Sequence, residues 1–136
     1  MSHSKKYETI TMPLTKGVKM LINHIFPNAN IEYKPKDKIL IYKFKGKIIG
    51  FVHYGIRNGK GAIIGVGVLE GHRHKGHARN MLINAIEDIK ASGVDRVLIK
   101  VNPLNKAALA LYKSMQFMPV RKVGKSLLMR RFYEEN

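Results

Sequence analysis

Apolar residues along the chain alternate between strand-like and helix-like spacing, and each change of period marks a new element. Tyr7 to Thr11 alternates as a first strand. Leu14, Val18, Leu21, Ile22 and Ile25 follow at intervals of 4, 3, 1 and 3, an apolar stripe along one helical face. Pro13 suits the first turn of that helix, where its missing N–H costs nothing, and Phe26-Pro27-Asn28 ends it. Residues 29–38 mix Pro, Asn and charge and read as a loop. From Ile39 the pattern becomes that of strands. ILIYKF and IIGFVHYGI flank a Lys45-Gly46-Lys47 turn, and Asn58-Gly59 signals a tight hairpin before a third strand, Gly61–Leu69.

A loop rich in Gly and His comes next, and then Ala78, Leu82, Ala85, Ile86 and Ile89 return to helical spacing as far as Ser92-Gly93. Residues 95–101 form a short apolar strand, and strand–helix–strand in this order implies a right-handed crossover and a parallel pair. A second helix is predicted over Leu104–Met115, with Leu104, Ala108, Leu111 and Met115 on one face. Phe117–Val123 and Ser126–Phe132 close the chain as a hairpin around Gly124-Lys125. No internal repeat or linker interrupts the series. The expectation is one domain over residues 1–136 with a flexible arm at 1–6, of the α/β (α+β) class.

Charge changes the picture more than composition does. The chain holds 25 Lys and Arg against 9 Asp and Glu, a formal net charge of +16, which favours anionic partners and disfavours polycationic ones. Cysteine is absent, so disulfides, thiolate metal sites and a Cys nucleophile are excluded. No apolar run approaches the roughly 18 residues of a membrane span, and MSHSKKYETI lacks the apolar core of a secretory signal. A cytoplasmic protein without membrane contact is expected.

The candidate chemistry lies between Gly61 and Glu87, where strand, glycine loop and helix start follow one another. Backbone N–H groups and the helix macrodipole make such a loop an anion cradle, and Arg73 and Lys75 add charge to it. Gly65 and Gly67 lie within the strand, so the loop is not a dinucleotide fingerprint, and no P-loop pattern occurs. His72, His74 and His77 have no Cys or well-spaced carboxylate to complete a metal site, and no GxSxG elbow supports a serine hydrolase.

Two motifs resemble the GCN-five-related N-acetyltransferase (GNAT) superfamily. That family follows a strand with a Gln/Arg-x-x-Gly-x-Gly/Ala loop, and Arg73-His74-Lys75-Gly76-His77-Ala78 matches it in full. About thirty residues on, Asn105, Ala108, Leu111-Tyr112 and Phe117 fall at the spacing of the family's second motif, with Gln116 where a Gly is usual. The resemblance covers most of residues 39–133 and is weaker over the first 38.

The resemblance implies a central mixed, mostly antiparallel twisted sheet of about six to seven strands flanked by helices, with a β4/β5 cleft for acetyl-CoA. It implies an acyl-CoA-dependent N-acetyltransferase with acetyl-CoA as cosubstrate and no metal. A bulge near Val66-Gly67-Val68 would open the cleft, and the pantetheine arm would pair there like an added strand. The pyrophosphate would rest on the backbone of His74, Lys75, Gly76, His77 and Ala78, with Arg73 and Lys75 lending charge or remaining solvated. The N–H near Val68 would be the oxyanion donor, worth about 2.7–4 kcal/mol in other enzymes. Tyr112 would protonate the departing thiolate, unless it is only a packed Tyr. Asn105 would cap its helix, touch the cofactor, or both, with Ala108 beside it.

The strand body AIIGVGV carries no titratable side chain, so the base is expected to be Glu70 through a water, or His53, with Tyr54 and His72 as rivals. The charge favours an amine on a neutral or anionic small molecule, or a protein terminus presented on a ribonucleoprotein. A rival reading is a catalytically weak module binding nucleic acid. In it Lys34, Lys36, Lys38, Lys43, Lys45 and Lys47, interleaved with Tyr33, Tyr42 and Phe44, track a phosphate backbone; alternatively they are a strand's solvent face. Either a monomer or a homodimer is compatible with the sequence.

Overall fold

The computed structural model describes residues 7–27 and 32–134; the expected arm at 1–6 lies outside them. The elements are β1 (Tyr7–Thr11), α1 (Lys16–Ile25), β2 (Lys38–Phe44), β3 (Lys47–Arg57), β4 (Lys60–Val68), α2 (His77–Ala91), β5 (Arg96–Val101), α3 (Lys106–Ser114), β6 (Met118–Val123) and β7 (Ser126–Phe132). All seven strands join one sheet in the order β1-β2-β3-β4-β5-β7-β6. Only β4 and β5 run parallel, as the crossover through α2 requires.

Alternation along the strands sends side chains to two apolar layers. Leu40, Tyr42, Ile49 and Val52 face one layer, where Met81, Leu82, Ala85, Ile86 and Ile89 of α2 and Tyr112 of α3 pack. Ile39, Ile41, Ile48 and Phe51 face the other, against Leu14 and Ile22. Covered on both faces, β2 and β3 read in the sequence as nearly continuous apolar runs rather than alternating ones.

Three local expectations are corrected. Pro13 precedes α1 instead of opening it, because the Thr15 hydroxyl accepts the Val18 N–H at 3.2 Å and sets the cap there. Leu14 is therefore buried from outside the helix, and Leu21 points to solvent. Leu104 is 84% exposed and lies ahead of α3, since Asn105 takes the cap by accepting the Ala108 N–H at 3.2 Å.

Candidate active site

The cleft begins where two parallel strands part. β4 and β5 are in register only from Gly61–Val97 to Ile63–Ile99. Opposite β3, Tyr54 pairs with Ile63 and His53 with Gly65, which leaves Ile64 as the extra residue of a bulge. The bulge therefore falls ahead of both glycines. Gly67 has a different reason to be glycine: a Cβ there would lie 2.7 Å from the Phe51 ring and 3.0 Å from the Phe26 ring.

Hydrogen bonding fixes which way the far end of β4 faces. The Leu69 N–H donates to the Ile49 carbonyl at 2.8 Å, so Gly50 and Val68 form a non-hydrogen-bonded pair. The N–H and C=O of Val68, and those of Val66 two residues earlier, consequently point away from β3 and into the gap left by β5. The Val68 carbonyl already accepts from Arg73 Nε at 2.9 Å, which pins the loop to the end of the strand. The outward N–H of Val68 is the donor this geometry offers to a carbonyl oxygen in the cleft.

The loop then climbs to α2 through three left-handed residues, Gly71 (φ 92), His74 (φ 62) and Gly76 (φ 83). At Gly76, the helix N-cap, the left-handed turn suits glycine, and no side chain caps the N–H groups of the first turn. No acidic residue occupies that turn either, so the positive end of the dipole stays uncompensated. Arg79 adds a cation there, against the usual preference, and spans the cleft to donate to Ser114 Oγ at 2.6 Å. That inverted charge preference was the sequence signal for Arg79, which motif spacing had not singled out.

α3 forms the opposite wall. Tyr112 is 7% exposed, and burial raises its hydroxyl pKa, so it holds its proton at neutral pH and can donate it. A cavity of about 360 Å³ runs between the walls, lined by Val66, Gly67, Val68, Arg73, His74, Gly76, Ala78, Asn105, Ala108 and Tyr112, together with His72, Arg79, Ala107 and Leu111. A second cavity, about 550 Å³, shares Val66–Val68, Arg73, His74, Asn105 and Ala107 with the first and is closed by Ile25, Phe26 and Pro27 of the α1 side. Among the described residues no carboxylate lines either one. An outward strand edge, an uncapped helix start and cationic lining fit a pantetheine arm and its phosphates.

The model of the GNAT acetyltransferase family matches residues 10–117. The chain belongs to that family. Its fold is similar to that of the ribosomal-protein-S18-alanine N-acetyltransferase of Escherichia coli, at 15% identity over 96% of each chain and a TM-score of 0.76. The IAA acetyltransferase of Bacillus cereus aligns at 17% identity over 93% of this chain and 98% of its own, with a TM-score of 0.76. The PaiA N-acetyltransferase of Thermoplasma acidophilum, solved in complex with coenzyme A, aligns at 19% identity over 87% and 72%, with a TM-score of 0.69. No curated protein matches the chain by sequence.

In this GNAT chain four of the expected site residues lie away from the cleft lining. Lys75 is exposed on the loop. The His77 ring turns to the sheet and packs edge-on against Tyr42, with centroids 4.5 Å apart. Glu70 sits on an exposed turn just past β4 and lines neither cavity, because the strand ends before it can point inward. His53 is fully buried, with Nε2 2.6 Å from Asp37 Oδ2, and burial lowers its pKa. Arg57 holds the same carboxylate through two further bonds of 2.7 Å.

The basic stretch is partly spoken for. Lys38 pairs with Asp88 at 2.9 Å, Lys43 with Glu8 at 3.0 Å, and the Lys45 ammonium sits over the Phe44 ring. No helix is long and apolar enough to cross a membrane, and no metal-holding group of His, Asp or Glu occurs among the described residues.

Proposed function

We propose that this protein is an acetyl-CoA-dependent N-acetyltransferase that moves acetyl to a primary amine by direct attack within a ternary complex. The observation that carries this reading is the shared strand edge: Val66–Val68 borders both cavities, one walled by α2 and α3 and the other by α1. A thioester held in the first cavity and an amine in the second would meet at that edge. Proximity of this kind removes much of the entropic barrier of a two-substrate reaction.

Each step has a group in the cleft to carry it. Acetyl-CoA supplies the activated acyl group. The uncapped N–H groups from Gly76 onward, with Arg79, hold its phosphates. The Val68 N–H stabilises negative charge as it develops on the carbonyl oxygen. Tyr112, buried and protonated, donates to the departing thiolate. His74 takes the proton of the attacking ammonium, directly or through one water. Among the described residues it is the one bordering both cavities whose side chain can accept a proton, and Glu70 and His53 border neither. A non-glycine residue held at φ 62 beside the reacting groups is in keeping with that role.

With no carboxylate on the second cavity and a net charge of +16, the acceptor is an amine on a neutral or anionic carrier, either a small molecule or a protein terminus or lysine. The test is acetyl-CoA-dependent release of free thiol over an amine panel, with heat denaturation run alongside. Acetyl-CoA is expected to raise the melting temperature of both the parent and Tyr112→Phe. The Tyr112→Phe variant should lose about 10²–10⁴ in kcat. Absence of any thermal shift with acetyl-CoA or CoA overturns the enzyme reading, and rapid turnover of spermidine overturns the charge argument.

A further inference from the structure

Among the described residues, one part of the sheet surface has no helix over it. α1 covers the outer face of β2 and β3, while α2 and α3 lie on the opposite face. Along β5, β7 and β6 the core positions Val97, Ile99 and Met129 point under the helices, so the alternate positions along each strand form the bare outer face.

That face is cationic. It carries Arg96 and Lys100 from β5, Arg130 from β7, and Arg121 from β6, with Arg130 directly across from Leu98 and Met118. None of the three strands, RVLIKV, MPVRKV and SLLMRRF, contains an Asp or Glu. Of the four cations, Arg96 pairs with Asp95 at the strand's start, at 2.8 Å. Large apolar groups stand among them, Phe132 at 50% exposure and Met118 at 70%. The Arg96 and Arg130 guanidinium carbons lie 4.8 Å and 4.6 Å from the Phe132 ring centroid. Arginine guanidinium groups and aromatic rings offer unpaired bases surfaces to stack on, and the guanidinium N–H forks reach phosphate.

We propose that the bare outer face of β5, β7 and β6 binds single-stranded nucleic acid. Charge decides against a second copy of this chain seated symmetrically there, since four cations would meet four cations. An acidic polypeptide would need only the charges, whereas the two guanidinium groups over Phe132, with exposed Phe132 and Met118, favour a partner that brings flat rings along with its anions. The site lies apart from the acetyl-transfer cleft, whose lining contains no residue of β5, β6 or β7.

The test is fluorescence anisotropy of a labelled 20-nucleotide single strand titrated with the whole chain between 50 and 200 mM salt. Affinity should fall with log salt at a slope of about −0.7 per phosphate neutralised. The Lys100→Glu/Arg121→Glu variant, which alters two exposed side chains, should bind at least tenfold more weakly and flatten the slope by about 1.4. Lys34→Glu/Lys36→Glu makes the same change of charge on the other half of the molecule and should stay within about threefold of the parent. Melting curves check each fold, and Lys100→Gln/Arg121→Gln replaces the reversal if it melts early, with loss expected in the same direction. Three results overturn the proposal: no binding at 50 mM salt, equal weakening by both pairs of reversals, or tighter binding to poly-glutamate or anionic vesicles than to the oligonucleotide.

Discussion

Asp37→Asn probes the buried charge cluster that anchors the chain entering β2. Asp37 is 1% exposed and His53 is fully buried. One carboxylate oxygen accepts from Arg57 Nη1 at 2.7 Å; the other meets Arg57 Nη2 at 2.7 Å, His53 Nε2 at 2.6 Å and the Lys34 N–H at 3.0 Å. Asparagine keeps the shape but turns an acceptor oxygen into an NH2 aimed at other donors. Burial pushes the Asp37 carboxyl up, yet the Arg57 guanidinium, the Lys34 N–H and His53 outweigh it and bring the pKa down from 3.8 to about 2. At 1.36 kcal/mol per pH unit, that drop corresponds to about 2 kcal/mol of stability carried by the ionised form.

Removing one partner of a buried ion pair costs about 3–5 kcal/mol, so the variant should lose about 3 kcal/mol in urea denaturation at pH 7. The pH dependence follows from the same shifts. Because the folded Asp37 pKa is depressed, the unfolded chain takes up its proton first on acidification. The contribution is whole above pH 3.8 and drains away as pH falls through about 2. The His53 pKa is also lowered, by burial, so its loss begins earlier, as pH drops below about 6.5. The parent should therefore destabilise in two stages, and the lower one should be smaller in Asp37→Asn, where the lowered Asp88 carboxyl still contributes to it. A variant within 1 kcal/mol of the parent at pH 7, or a parent as stable at pH 2 as at pH 5, would refute the reasoning.

Two smaller changes test the cleft and its supports. Gly67→Ala places a methyl 2.7 Å from the Phe51 ring and 3.0 Å from Phe26, and Phe51, only 2% exposed, has little room to retreat. Chemical denaturation should show a loss of about 1–3 kcal/mol, with a lower rate of thiol release from the displaced acceptor wall. Gln116 stands at φ 72, a left-handed turn after α3 where the family's usual glycine is free of strain. Gln116→Gly should therefore raise stability by about 1 kcal/mol, read as a higher urea midpoint with unchanged slope.

The order and type of the elements were legible in the sequence because they are written in local spacing. Short apolar runs broken by turn residues across Ile39–Leu69, helical period from Ala78 to Ile89, and Asn58-Gly59 between two strands depend on near neighbours alone. The loop Arg73–Ala78 and the Asn105–Phe117 motif were likewise visible, since a helix start and a cap are made from consecutive residues. Glu70 and His53 show the limit of that reading. Both lie within a few residues or one strand of the cleft, but the side a residue faces depends on the bulge at Ile64 and on where β4 stops.

What the sequence determined by itself was a mixed sheet with a glycine loop opening α2. The tertiary structure alone decided that Val66 and Val68 turn their backbone groups into a gap, that His74 and not Glu70 borders both cavities, and that Gly67 makes room for two phenyl rings. Each of those outcomes depends on pairing between strands far apart in the chain, where one residue of register reverses the face a side chain occupies.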